Sequence, residues 1–128
     1  MNYYSKSRYV NFCKCKRYLW CDKYHSDEKK EVNNQAVLDN GNEIGDLARS
    51  YFPNTCYVYS EKNDLNYMVK ETARLLSENK ASIAEASFFY LNNYCACDIL
   101  FNNFDGTYNL YEVKSTTKMA DYYYDDVS

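Results

Sequence analysis

The chain has 128 residues, enough for one domain with a single modest core, and is 46% hydrophobic and 26% charged with one Pro and three Gly. That balance excludes an intrinsically disordered chain. The net charge is −3, so the overall basic signature of a nucleic-acid-coating protein is absent.

The opening Met1-Asn-Tyr-Tyr-Ser5-Lys has no apolar signal core, so a cytoplasmic location is expected. No stretch approaches the roughly 20 apolar residues of a membrane span, and no membrane partner is expected. In that compartment Cys13, Cys15, Cys21, Cys56, Cys95 and Cys97 are thiols or metal ligands rather than disulfides. Ser5 or Ser7 is placed to cap a first helix, with Tyr9, Phe12, Cys13, Leu19 and Trp20 at helical spacing. Lys6, Arg8, Lys14, Lys16 and Arg17 are its basic run, which in most proteins is a solvated helix face. Residues 25–34, with the single histidine His25, are polar and read as a loop. A second helix is predicted over 35–51, with Ile44, Leu47, Ala48 and Tyr51 as its apolar stripe and Pro53 as its stop.

Residues 56–59 suit a short strand. Asp64 caps a third helix, whose apolar face is Leu65, Met68, Val69, Thr72, Leu75 and Leu76. The period then changes to that of strands over 82–91, 94–101 and 107–115, with Asp105-Gly106 as a turn. Residues 118–128 are polar and tyrosine-rich and stop before completing a helix. The order predicts an α+β domain with a three-stranded, mainly antiparallel sheet and N-terminal helices. The sixteen Tyr and six Phe fit a codon bias that also enriches Asn and Lys; their functional reading is base stacking.

Two apolar strands carry charge: Tyr94-Cys-Ala-Cys-Asp98-Ile-Leu-Phe101 and Asn109-Leu-Tyr-Glu112-Val-Lys114-Ser. Buried charge is costly unless paired or bound to metal. Glu112 and Lys114 share a strand face and Val113 takes the other. Asp98 joins them only if the hairpin pairs residues whose numbers sum to an even value. A two-residue turn at Asp105-Gly106 pairs Asp98 with Val113, so an odd loop or a bulge is predicted. Two carboxylates suit Mg²⁺ or Mn²⁺. Such an ion activates water against a phosphodiester, a lysine stabilises charge, and the Val113 carbonyl is a further ligand candidate. Glu-x-Lys by itself carries little, since Glu28/Lys30 and Glu78/Lys80 repeat it. Only Glu112/Lys114 sits in a strand pattern after an acidic strand. An exposed salt bridge between Lys114 and Asp98 is the plain alternative.

Ser5-Lys-Ser-Arg-Tyr-Val-Asn-Phe-Cys-Lys-Cys-Lys-Arg-Tyr-Leu-Trp20 resembles the opening of a bacterial family of RecB-like PD-(D/E)XK nucleases, related to the CRISPR-associated RecB-like exonucleases. Gly41-Asn-Glu43-Ile-Gly-Asp-Leu-Ala48, Ile83-Ala-Glu85-Ala-Ser-Phe88, Cys97-Asp98-Ile-Leu and Tyr111-Glu112-Val-Lys114-Ser-Thr resemble its later blocks, in order over nearly the whole chain. The resemblance implies a restriction-endonuclease-like core and DNA as substrate. It implies Asp98, Glu112 and Lys114 as catalytic residues and Mg²⁺ or Mn²⁺ on Asp98 and Glu112. Glu85 then falls at a metal-assisting position and Glu43 at an auxiliary one. The helix and strand that follow Glu-x-Lys in the family are expected to be missing. Cys15 matches the N-terminal ligand of the iron–sulfur cluster in many relatives. The C-terminal ligands have no counterpart here, so Cys15 is a vestige and no cluster is expected. The second functional reading is a truncated, non-catalytic interaction module, because a shortened core leaves edges for a second copy or a protein partner.

Overall fold

A computed structural model describes residues 3–31 and 34–128. A two-residue strand β1 (Tyr4–Ser5) leads directly into α1 (Lys6–Lys14), and α2 (Lys16–Tyr24) follows. The Ser5 hydroxyl accepts the Arg8 N–H at 3.3 Å and caps α1. The single first helix expected from the sequence is two, because Cys15 is extended (φ −163°, ψ 116°) and breaks it. A 3₁₀ turn (Ser26–Glu28) and α3 (Gln35–Ser50) come next. β2 (Thr55–Tyr57) and α4 (Leu65–Ser77) precede the sheet's long hairpin, β3 (Ser82–Tyr90) and β4 (Asn93–Asn102). β5 (Tyr108–Tyr111) and a short α5 (Tyr122–Val127) complete the described elements.

The architecture is α+β, but the sheet is mixed and has five strands among the described residues, not three. β3 and β4 are antiparallel, β2 lies parallel to β3, and both β1 and β5 pair with the other edge of β4. β1 meets the start of β4 at Asn93 and Tyr94. β5 meets its end, from Ile99 to Asn102. The two short strands therefore approach one another along a single edge, leaving the stretch around Asp98 between them. The α5 turn of helix also exceeds what the tail pattern predicted.

α4 packs on one face, where Val58, Leu75, Ile83, Ala86, Cys97 and Leu100 form the core with Met68 and Leu76 against it. Asp64 caps α4 by accepting the Tyr67 N–H at 3.2 Å. Ile83 and Ala86 sit three apart on this one face, as do their partners Leu100 and Cys97. A regular strand would send residues three apart to opposite faces. The phase shifts because Glu85 adopts φ 57° and the Glu85/Asp98 pair drops out of an otherwise continuous ladder. The Thr72 hydroxyl accepts the Ser87 N–H at 2.9 Å and ties α4 to the strand beyond that kink.

The opposite face is covered more thinly. The Phe52 ring, just after α3, lies 5.7 Å from Phe101 and 5.1 Å from Tyr111. α3 presents Ile44, Gly45, Ala48 and Arg49 half-buried, while Leu47 and Tyr51 of the expected stripe face solvent. Two turns explain the strand ends. Leu91 and Asn92, both at positive φ (47° and 62°), make the two-residue β3–β4 turn that the sequence reading had placed partly in the strand. Residues 103–107 close β4–β5, with the Asn103 N–H on the Thr107 carbonyl at 3.1 Å and Gly106 at φ 90°. This five-residue loop has the odd length that the site geometry demanded.

Candidate functional site

Ile99 pairs with Tyr111, so the register sets Asp98 beside Glu112. The ladder stops there. The Val113 N–H donates to Asp98 Oδ2 at 2.6 Å instead of to a strand carbonyl. β5 thus ends at Tyr111 rather than at the predicted residue 115, and the chain turns away after an Asp98-held amide.

Asp98 opens onto a cleft of about 500 Å³ between the sheet and α3, whose walls include Gly45, Arg49, Glu85, Val113 and Lys114. Glu112 opens onto the neighbouring cleft, beside Lys6 and Asp126. Lys114 reaches both: it lines the first cleft and donates to Glu112 Oε1 at 3.0 Å. The three predicted residues are therefore neighbours, with Lys114 common to the Asp98 cleft and to the Glu112 ion pair. Among the described residues, no three His, Cys, Asp or Glu side chains are grouped as ligands for one metal ion.

What the kink does assemble is a carboxylate pair. Burial raises the pKa of Glu85, and the charge of Asp98 raises it further; Arg49 offsets part of this, and no hydrogen bond does. Two hard oxygen donors whose repulsion Arg49 and Lys6 offset only in part fit a divalent cation of the Mg²⁺ or Mn²⁺ kind. Asp98 and Glu85 are the side chains that would hold it, with Val113 on the same wall. Glu112 is differently engaged, because Lys6 Nζ donates to its Oε2 at 2.9 Å while Lys114 holds the other oxygen.

Asp126, from α5, completes an alternating cluster. It pairs with Lys6 at 3.4 Å and also accepts from Lys114. The side chains of Glu112 and Asp126 are only 10% and 12% exposed. Burial works against the charge of both lysines, yet Glu112 and Asp126 outweigh it and raise their pKa values. Burial likewise opposes the Asp126 carboxylate, and Lys114 and Lys6 overcome it, so its pKa is lowered.

Glu43 is exposed on α3 and outside the Asp98 cleft, which its neighbour Asp46 lines, paired with Arg49. Cys15 is exposed at the α1–α2 break. Cys97 is buried against the core, which pushes its thiol pKa up to about 11. Sequence reasoning missed Lys6, Arg49 and Asp126. Lys6 stood in the basic run, but only the β1–β4 pairing shows that it lands beside Glu112. Arg49 and Asp126 carried no signal separable from surface charge.

Comparison with family models, curated proteins and solved structures finds no match to this chain.

Proposed function

We propose that the chain is a metal-dependent DNA nuclease of the PD-(D/E)XK type on a restriction-endonuclease-like core. The observation that carries this reading is the Glu85/Asp98 carboxylate pair facing a cleft that Lys114 also lines. A helix, α4, packed on the antiparallel β3–β4 hairpin, which β5 extends, supports the core assignment.

Asp98 and Glu85 are the donors for Mg²⁺ or Mn²⁺, with the Val113 carbonyl beside them. When bound, such an ion lowers the pKa of a water and neutralises phosphate charge. Lys114, held fully protonated by Glu112 and Asp126, stabilises charge developing on the scissile phosphate. Arg49 on the opposite wall orients the phosphate through its planar fork of donors. Glu112 positions Lys114 through the ion pair between them.

The test is cleavage of labelled DNA with Mn²⁺ and with EDTA. Asp98→Ala and Lys114→Ala each lower the metal-dependent rate at least a hundredfold. Cleavage that persists unchanged in both variants overturns the assignment.

One observation favours a second reading, a non-catalytic interaction module. α3 has no fully buried residue and exposes Val37, Leu38 and Leu47. An uncleaved DNA substrate together with self-association lost in Leu38→Asp identifies that case.

A further inference from the structure

The charge of this chain is unevenly placed. From Lys6 to Tyr24 the helices α1 and α2 carry Lys6, Arg8, Lys14, Lys16, Arg17 and Lys23 against Asp22 alone. Of the chain's 15 basic and 18 acidic residues, that leaves nine basic and seventeen acidic elsewhere. Asp22 is itself neutralised by Lys29 at 3.2 Å. A strongly cationic arm on an acidic protein is an electrostatic footprint that net charge conceals.

The same arm exposes its aromatic rings. α2 has no fully buried residue, and Trp20 and Tyr24 are 53% and 60% exposed. Lys16, Trp20, Lys23 and Tyr24 recur at the spacing of one helix face. Trp20 and Tyr24 lie 5.5 Å apart, and Trp20 lies 5.0 Å from His25. Lys23 sits 5.1 Å over Tyr24 and Lys16 5.7 Å over Phe12. Beside Trp20 is a cleft of about 380 Å³ whose wall includes Arg17, Cys21 and His25. Exposed rings interleaved with cations suit a strand whose bases are free to stack and whose phosphates need counter-charge.

The arm also begins at the candidate site. Lys6, the first residue of α1, donates to Glu112. At 1.5 Å per residue, α1 spans about 13 Å from Lys6 to the start of α2. We propose that α1 and α2 form a track for single-stranded DNA, with Trp20 and Tyr24 as its stacking platform and Lys16, Arg17 and Lys23 along the phosphates. The choice of DNA rests on the nuclease reading; the surface itself does not.

The experiment measures anisotropy of a fluorescein-labelled thymidine homopolymer, in EDTA so that cleavage cannot intervene, against a duplex of equal length. The paired change Lys16→Ala with Arg17→Ala weakens binding of the single strand at least tenfold at low salt. It also flattens the slope of log affinity against log salt by about 0.7 for each cation removed. Trp20→Ala weakens the single strand about tenfold and leaves the duplex unchanged. Circular dichroism confirms that each variant is folded, as expected for exposed positions. Affinity indifferent to both changes, or a Trp20→Ala loss as large on duplex as on single strand, overturns the track. Binding that follows these variants in a protein without metal-dependent cleavage keeps the track and overturns the nuclease reading alone. Cleavage in a protein whose binding ignores them does the reverse.

Discussion

Glu85 offers the sharpest test of the site, because its backbone and its charge make separable predictions. An L-residue in the left-handed region costs about 1–2 kcal/mol, and Glu85 sits there at φ 57°. Glycine at an ordinary strand position forfeits about 0.5–1 kcal/mol relative to alanine. At this one strand position the first quantity exceeds the second, so Glu85→Gly stabilises the fold by about 0.5–1 kcal/mol. For a chain of this size about 1 kcal/mol moves Tm by about 3–5 °C. Glu85→Gln isolates the charge. The folded-state pKa of Glu85 is raised, first by burial and then by Asp98, so the ionised form opposes folding at pH 7. That opposition is absent where both folded and unfolded states are protonated, below about pH 4.3. It grows as pH rises through the raised folded value. Glu85→Gln therefore raises Tm at pH 7, and the gain shrinks toward zero near pH 4. Thermal unfolding followed by circular dichroism at the two pH values reads both effects. Mn²⁺ raises the Tm of the wild type and raises that of Glu85→Gln less. The reasoning fails if Glu85→Gly lowers stability by about 1 kcal/mol, as glycine does in a regular strand, or if the Glu85→Gln gain is the same at both pH values.

Asp126→Asn removes the charged acceptor shared by Lys6 and Lys114 and costs about 1.5–3 kcal/mol at pH 7 in urea unfolding, the scale of hydrogen bonds to charged groups. The Asp126 pKa is lowered in the folded state, so this contribution is full above the unfolded value of about 3.9 and disappears as pH falls through the folded one. A difference between wild type and variant that grows in acid contradicts the pairing. At the β3–β4 turn, Leu91→Gly relieves a positive-φ leucine that is 74% exposed and adds about 0.5–1 kcal/mol in the same assay. Loss of stability there counts against the turn geometry.

The sequence exposed what depends on local pattern. Asp64 and the apolar face of α4, the strand periods of β3 and β4, and the odd β4–β5 loop all follow from turn chemistry and periodicity within a few residues. The charged pair Glu112 and Lys114 was legible for the same reason. What escaped was set at long range. β1 is two residues long and has no period of its own; it is a strand only because β4 offers an edge. The first helix broke at Cys15, an ordinary residue, where no glycine or proline marked the end. The phase shift in β3 also escaped, because it rests on a left-handed Glu85. No residue-level preference announces a glutamate at positive φ. Asp126 reached the cluster through a tail that read as a helix start and nothing more.

The contact between Lys6 and Glu112 spans 106 positions in the chain, and Asp126 lies further along still. Pairings this distant are the slowest to close, because loop entropy is spent before any contact returns it. During synthesis the amino-terminal strand and helix leave the ribosome long before their carboxylate partners exist. The central hairpin and α4 are synthesised before Glu112 and Asp126 exist to meet Lys6. A product that stops before residue 112 leaves Lys6 without either of the carboxylates it pairs with in the folded chain.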